Sequence, residues 1–214
     1  AGLDVPARAD VFSLDLSGLQ DREAIDQYFN GSTGSLGTGS GPDYGIYFSD
    51  PSGATAQTNP DNDGFANAPF SNNAVAYFSQ FPDFAPVYLD APGGITGGFS
   101  FWYSNGSGDP ETINLYSGLD GTGGIVATIA LLPNDNPGDC SGSASFCDWA
   151  VAGASFADTV QSVGFADLDS FDNLETVFAD ITIGSSSPVA EPASIAMLGM
   201  GIAALGRARR RKPT

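Results

Sequence analysis

The sequence predicts an all-β fold, a sandwich or barrel built from short antiparallel strands. Three observations carry that expectation. Apolar and polar residues alternate with period 2 in run after run, as in strands with one face buried. The runs are separated by Gly, Asn, Asp and Pro clusters such as "DPSG", "NPDNDG", "APGG", "NGSGDP" and "GLDGTGG", which are turn chemistry. No long stretch before residue 185 keeps a helical period, and no longer internal repeat is visible.

Taken in order, "VFSLDL" (11–16) sets Phe12, Leu14 and Leu16 on one face and Val11, Ser13 and Asp15 on the other. "LQDREAIDQYF" (19–29) has no continuous apolar stripe and predicts at most a helical turn. "YGIYFS" (44–49) alternates Tyr44, Ile46 and Phe48 against Gly45, Tyr47 and Ser49. "AVAYFS" (74–79) and "VYLD" (87–90) are shorter strands. "GGFSFWYS" (97–104) places Phe99, Phe101 and Tyr103 together, with Ser100 and Trp102 opposite. "TINLYS" (112–117) alternates through Ile113 and Leu115, and "IVATIALL" (125–132) reads as a strand buried on both faces. "VQSVGFAD" (160–167) and "TVFADITIG" (176–184) complete the set.

At 214 residues and 42% hydrophobic content, one domain with a proper core is expected. Charge divides the chain. Residues 1–187 hold 24 acidic and 2 basic groups (Arg8 and Arg22), a net of −22. Five of the seven basic residues close the chain. The acidic body repels phosphates, which argues against nucleic-acid binding, and it attracts divalent cations. Without a single His there is no Ser-His-Asp or Cys-His machinery and no His-based zinc or iron site. Cys140 and Cys147, in "CSGSASFC", predict a local disulfide formed in an oxidising compartment. So short a loop would contribute about 2 kcal/mol. The opening "AGLDVPARAD" lacks Met and a basic-then-apolar leader, so an export signal is expected to be missing from it.

"SSSPV" (185–189) is a Ser/Pro spacer, and the expected domains are 1–184, the spacer, and 190–214. Residues 193–206 form a chargeless run of 14, short of the roughly 17–20 of a full bilayer span. Arg207, Arg209, Arg210, Arg211 and Lys212 follow at once, a stop-transfer cluster that the positive-inside rule keeps cytoplasmic. A permanent anchor or a buried helix of the body are the competing readings of this tail.

The order Ala190-Glu191-Pro192, short apolar helix, Arg cluster resembles a PEP-CTERM sorting signal, with Ala190 where that family usually has Pro. The resemblance implies export in a Gram-negative bacterium, a transient inner-membrane intermediate held through residues 193–206, and processing by an exosortase, a membrane protease. It also implies association with exopolysaccharide and biofilm matrix, at the cell surface or beyond. The body resembles an exported domain found with such tails, on the phrases "YFNGSTGSLGTGSGPDYGIYFS", "FANAPFSNNAVAYF", "GGFSFWYS", "INLYSGLDGTG" and "FADITIG". That second resemblance covers about 28–184 and implies a jelly-roll-like antiparallel β-sandwich with no established activity.

Jelly-roll modules often hold a structural Ca²⁺ between first and last strands, which makes Asp180 with Asp26 or Asn30 the candidate metal set. Asp61, Asp63 and Gly64 in "NPDNDGFAN" lack the full calcium-loop pattern and read as a polar turn. Trp102 and Trp149 are candidate sugar-stacking rings. No motif marks a catalytic carboxylate pair. The expected function is therefore an exported, non-enzymatic surface or matrix protein. A Ca²⁺-dependent carbohydrate-binding module and a secreted polysaccharide hydrolase are the alternatives.

Overall fold

The computed structural model describes residues 11–49, 54–58 (backbone only), 65–69, 74–78, 87–106, 108–134, 140, 146–165 and 176–188. The sorting motif, the apolar run, the basic cluster and the Asp61–Gly64 turn lie outside them. Among the described residues there are strands and turns and no helix. The strands are β1 (Phe12–Ser13), β2 (Tyr47–Phe48), β3 (Ala54–Thr58), β4 (Ala74–Phe78), β5 (Tyr88–Asn105), β6 (Glu111–Tyr116), β7 (Ile125–Leu131), β8 (Ala150–Gly164) and β9 (Thr176–Ile183). Every pairing between them is antiparallel. They join in the order β3-β4-β9-β5-β8-β6-β7, with β1 added to β9 and β2 to β5.

The sheet folds over on itself around one core. Strands from opposite ends of that order, β4 and β6–β7, feed the same cluster through Phe78, Ile113, Leu115, Ile129 and Leu131. The ring of Phe78 stacks at 4.0 Å on Phe165, just past β8, and lies 5.4 Å from Phe178 of β9. Contacts of this kind add about 0.5–1.5 kcal/mol each beyond the area they bury. The bends come at irregularities in the long strand β5. Its register against β8 shifts between Asp90 and Ile95 and again between Ile95 and Gly97. The "APGG" stretch, which reads as a turn in sequence, is therefore the bulged middle of one strand.

Strand β9 is the hub. Phe178, Ile181 and Ile183 enter the main core, while Val177 and Ala179 face a second, smaller cluster with Phe65, Val75 and Phe146. The parity switches at Asp180. Ser100 pairs with Thr182 but Trp102 pairs with Ala179, so β9 carries one extra residue there, and Asp180 takes the left-handed φ of 52°. Asp tolerates that conformation better than most residues. Strict alternation would have put Asp180 on the face of Phe178; the bulge takes it out of phase instead.

Strand β7 departs from its sequence reading. It ends the strand order, and its burial alternates, with Ile125 exposed and Ile129 and Leu131 buried. Only one face of β7 is covered over Ile129–Leu131, so a continuous apolar run need not mean two buried faces.

Residues 14–46 form a long excursion without strands, tied to the sheet by buried Leu14, Leu16, Leu19, Ile25 and Phe29. Its centre is Glu23, which has no exposed surface. The carboxylate accepts hydrogen bonds from Gln20 N (2.8 Å), Leu36 N (2.7 Å) and the Thr38 hydroxyl. Burial pushes its pKa up, but these donors outweigh burial and hold it below the ordinary glutamate value.

After β9 the chain crosses the sheet instead of leaving it. Gly184 N donates to Gly98 O at 2.8 Å, and the next residues run over Gly98 and Gly153. A Cβ on Gly98 would come within 2.5 Å of the Ser185–Ser186 backbone, so only glycine allows that approach. Ser185 and Ser186, the start of the expected spacer, thus lie against the body.

Candidate functional site

A cleft of about 330 Å³ opens where β1, β2, the bulge of β5 and the end of β9 meet the 14–46 excursion. Phe12, Tyr44 and Tyr47 give it aromatic walls, Asn30 and Asp43 give it polar groups, and Pro92, Gly93 and Gly94 form a side without bulk. Tyr44 is held by Phe12 (4.4 Å between ring centres) and Phe29 (6.2 Å, stacked). Alternation places Tyr44 and Tyr47 on opposite faces, yet both line the cleft. Gly45, at φ 65°, breaks the alternation between them. Its N–H also reaches back to Asp43 Oδ1 at 3.3 Å. Asn30 pairs with Asp43 as an isolated bridge and donates from its side chain to Gln27 Oε1 at 2.9 Å. The phenol of Tyr47 is pushed above its ordinary pKa by burial, then by the charges of Asp90 and Asp120, so it stays a neutral hydroxyl at neutral pH.

Chemically the arrangement can hold a ring with one apolar face and hydroxyl edges. Aromatic faces take the apolar side of a ring, while amide, carboxylate and phenol groups take hydroxyls. Among the described residues that line it, Asp43 is the only carboxylate. A glycosidase would need two flanking the scissile bond.

The residues expected from sequence are distributed as follows. Asn30 lies at the cleft. Asp26 sits in the adjoining turn, where its carbonyl accepts from Phe48 N at 3.0 Å. Asp180 is the bulge residue of β9. Among the described residues, no three His, Cys, Asp or Glu side chains converge as a metal cluster. Trp102 and Trp149 pack, half-buried, against the second cluster. Trp149 stands edge-on to Phe65 and donates its indole N–H to Ala66 O at 2.9 Å. Cys140 and Cys147 form the expected disulfide, with Cα atoms 5.4 Å apart. It closes the loop leading into that cluster, next to Phe146 and Trp149. Sequence reasoning missed Phe12, Tyr44 and Tyr47 as a site. The signal available was a glycine between two tyrosines, which interrupts an otherwise regular strand.

No family model matches the chain, and no curated protein matches it. Among solved structures, it is similar to the K2 cleaved adhesin domain of Lys-gingipain, at 14% identity and a TM-score of 0.50. That match covers 81% of this chain and 99% of the adhesin domain. An isomalto-dextranase of Arthrobacter globiformis T6, complexed with panose, aligns at 12% identity over 85% of this chain and 33% of the enzyme, with a TM-score of 0.36. A point mutant of a family 29 carbohydrate-binding module aligns at 16% identity over 65% of this chain and 99% of the module, with a TM-score of 0.33. At such identity the adhesin likeness speaks to the fold alone, and the other two overlap too loosely to bear on it.

Proposed function

We propose that this chain is an exported, non-enzymatic surface or matrix protein whose body, a jelly-roll-like sandwich, binds a neutral polysaccharide in the Phe12–Tyr44–Tyr47 cleft. One observation carries the reading: two half-buried tyrosines and a phenylalanine line a cleft that also presents Asn30 and Asp43. The net charge of −22 over residues 1–187 disfavours acidic glycans and selects for uncharged ones. A single carboxylate among the described lining residues favours holding a sugar over cutting it. Residues 190–214 supply the sorting: Ala190-Glu191-Pro192 is presented to an exosortase-type protease while residues 193–206 sit in the inner membrane and the arginines stop transfer.

Isothermal titration of the full chain against neutral polysaccharides tests the cleft. Saturable binding should fall at least tenfold in Tyr44→Ala and Tyr47→Ala while both variants still unfold cooperatively. Undiminished binding in both variants would remove the cleft from the reading. Mass spectrometry of the mature C-terminus from the native host tests the sorting. Exported protein that still carries residues 193–214 would make the tail a permanent anchor.

A further inference from the structure

We infer that Asp90 and Asp120 form a divalent-cation site, suited to Ca²⁺, beneath the turn between β6 and β7. Asp90 lies in β5, in register with Tyr47 of β2 on one side and Ser162 of β8 on the other, and has no exposed surface. One carboxylate oxygen, Oδ1, accepts the Asp120 N–H at 2.8 Å. The other, Oδ2, is buried with no hydrogen-bond partner. A charged oxygen left that way costs several kcal/mol unless something neutralises it.

The neighbour available is a second carboxyl. Asp120, which donates its backbone N–H to Asp90, also sets a negative charge near the same carboxyl and raises its pKa. It is held there by the turn, with Asp120 at φ 51°. Gly121 N donates to Ser162 Oγ at 3.0 Å, and Ser162 Oγ donates to Gly118 O at 2.6 Å. Among the described residues no positive group answers this pair. Arg22 is the one basic side chain among the described residues, and it stands 89% exposed beside Asp21. A buried carboxylate with a second acid at its rim must therefore hold either a proton or a cation.

Oxygen-only chemistry in an acidic body selects a hard divalent ion, and Ca²⁺ accepts irregular coordination more readily than Mg²⁺. With no third acid in the group among the described residues, neutral oxygens must complete the shell. Two charges and neutral ligands match the weak end of the calcium range, with Kd on the order of 0.1–1 mM. The site differs from the Asp180, Asp26 and Asn30 set expected from sequence. It is independent of the sugar proposal, because it is measured with no glycan present.

The test uses the full chain, freed of metal by chelator, at pH 7.5. Expected are a saturable rise in melting temperature with CaCl₂ and tyrosine-sensitised Tb³⁺ emission that Ca²⁺ displaces. Both should vanish in Asp120→Asn, whose side chain is exposed and whose backbone N–H still reaches Asp90. Both should persist in Asp180→Asn. The inference is overturned if Asp120→Asn keeps the full response, or if NaCl at equal ionic strength reproduces it. It is also overturned if no Tb³⁺ binds and the metal-free protein simply gains stability as pH falls through about 6, because the pair then shares a proton.

Discussion

Glu23 and Asp90 are both carboxylates with no exposed surface, and their surroundings push them in opposite directions. The excursion around Glu23 supplies three donors, from Gln20, Leu36 and Thr38. Strand β5 and the β6–β7 turn supply Asp90 with one donor and a second acid. Burial alone raises both. Donors win at Glu23, which falls below its ordinary value; at Asp90 burial first and then the charge of Asp120 prevail over the Asp120 N–H, and its pKa is pushed up to about 6. The difference lies in how many N–H and O–H groups converge on each carboxylate, not in depth. One acid organises a loop; the other waits for a counter-ion.

The largest expected effect breaks the satisfied half of this comparison. Glu23→Ala strands two backbone N–H groups and a hydroxyl, and should cost about 3–5 kcal/mol in urea unfolding. A loss under about 1 kcal/mol would show that the excursion does not depend on its buried acid. The next effect has the opposite sign. In chelator at pH 7.5, Asp90→Asn should stabilise the protein by up to about 3 kcal/mol, since a shift from 3.8 to about 6 is worth about 1.4 kcal/mol per unit. Asparagine keeps an acceptor for Asp120 N and offers an N–H to the Asp120 carboxylate. Destabilisation instead would mean that Asp90 is ionised and satisfied.

Titration sharpens the contrast. A raised folded pKa means that the native protein binds more protons between pH 4 and 6, so through Asp90 stability rises as pH falls across that window. A depressed folded pKa means that Glu23 stabilises above its ordinary 4.5 and loses that contribution as pH falls through the lower native value. Differences from wild type should therefore shrink for Asp90→Asn as pH drops from 7 to 4, and for Glu23→Ala only below about pH 4.5. Melting curves from pH 3 to 8 check both. The groups facing Asp90 are Asp120 and Tyr47, and Tyr47 stays neutral throughout that range. The smallest effect is Thr38→Val, which removes one hydroxyl donor from Glu23 and should cost about 1–2 kcal/mol.

Where side chains were large and alternated, the fold was legible. Runs 97–104, 112–117 and 176–184 became β5, β6 and β9 with the faces expected for Phe99, Phe101, Ile113 and Leu115. The first half of β8, "AVAGASFADT", was not legible, because Ala, Gly and Ser carry little strand preference. It forms a strand because β5 runs beside it from Gly97 to Tyr103. The joining of 87–90 to 97–104 across a Pro-Gly-Gly stretch was hidden for a similar reason: turn residues also make bulges. At the candidate site Asn30 was foreseen as a polar group near the start of the domain, though as a metal ligand. The tyrosines were not foreseen, because convergence on a cleft depends on the left-handed Gly45 and on β5 arriving from 45 residues further along. The Asp90–Asp120 contact pairs a strand with a turn 30 residues away, a separation that no local pattern records.

The path of the chain after β9 also governs how the body would bear load. A pull on the residues beyond 188 must first lift Ser185 and Ser186 off Gly98 and Gly153, a short and easily broken seam. The force then runs along β9, which is flanked by β4 and β1 on one edge and by β5 on the other. Hydrogen bonds on both edges would be sheared together instead of opened one after another, and Val177, Phe178, Ala179, Ile181 and Ile183 would have to leave two apolar layers at once. A strand at the rim of the sheet would peel. With β9 paired on both edges and buried on both faces, the body sets a strand that must be sheared in line with the chain that follows it.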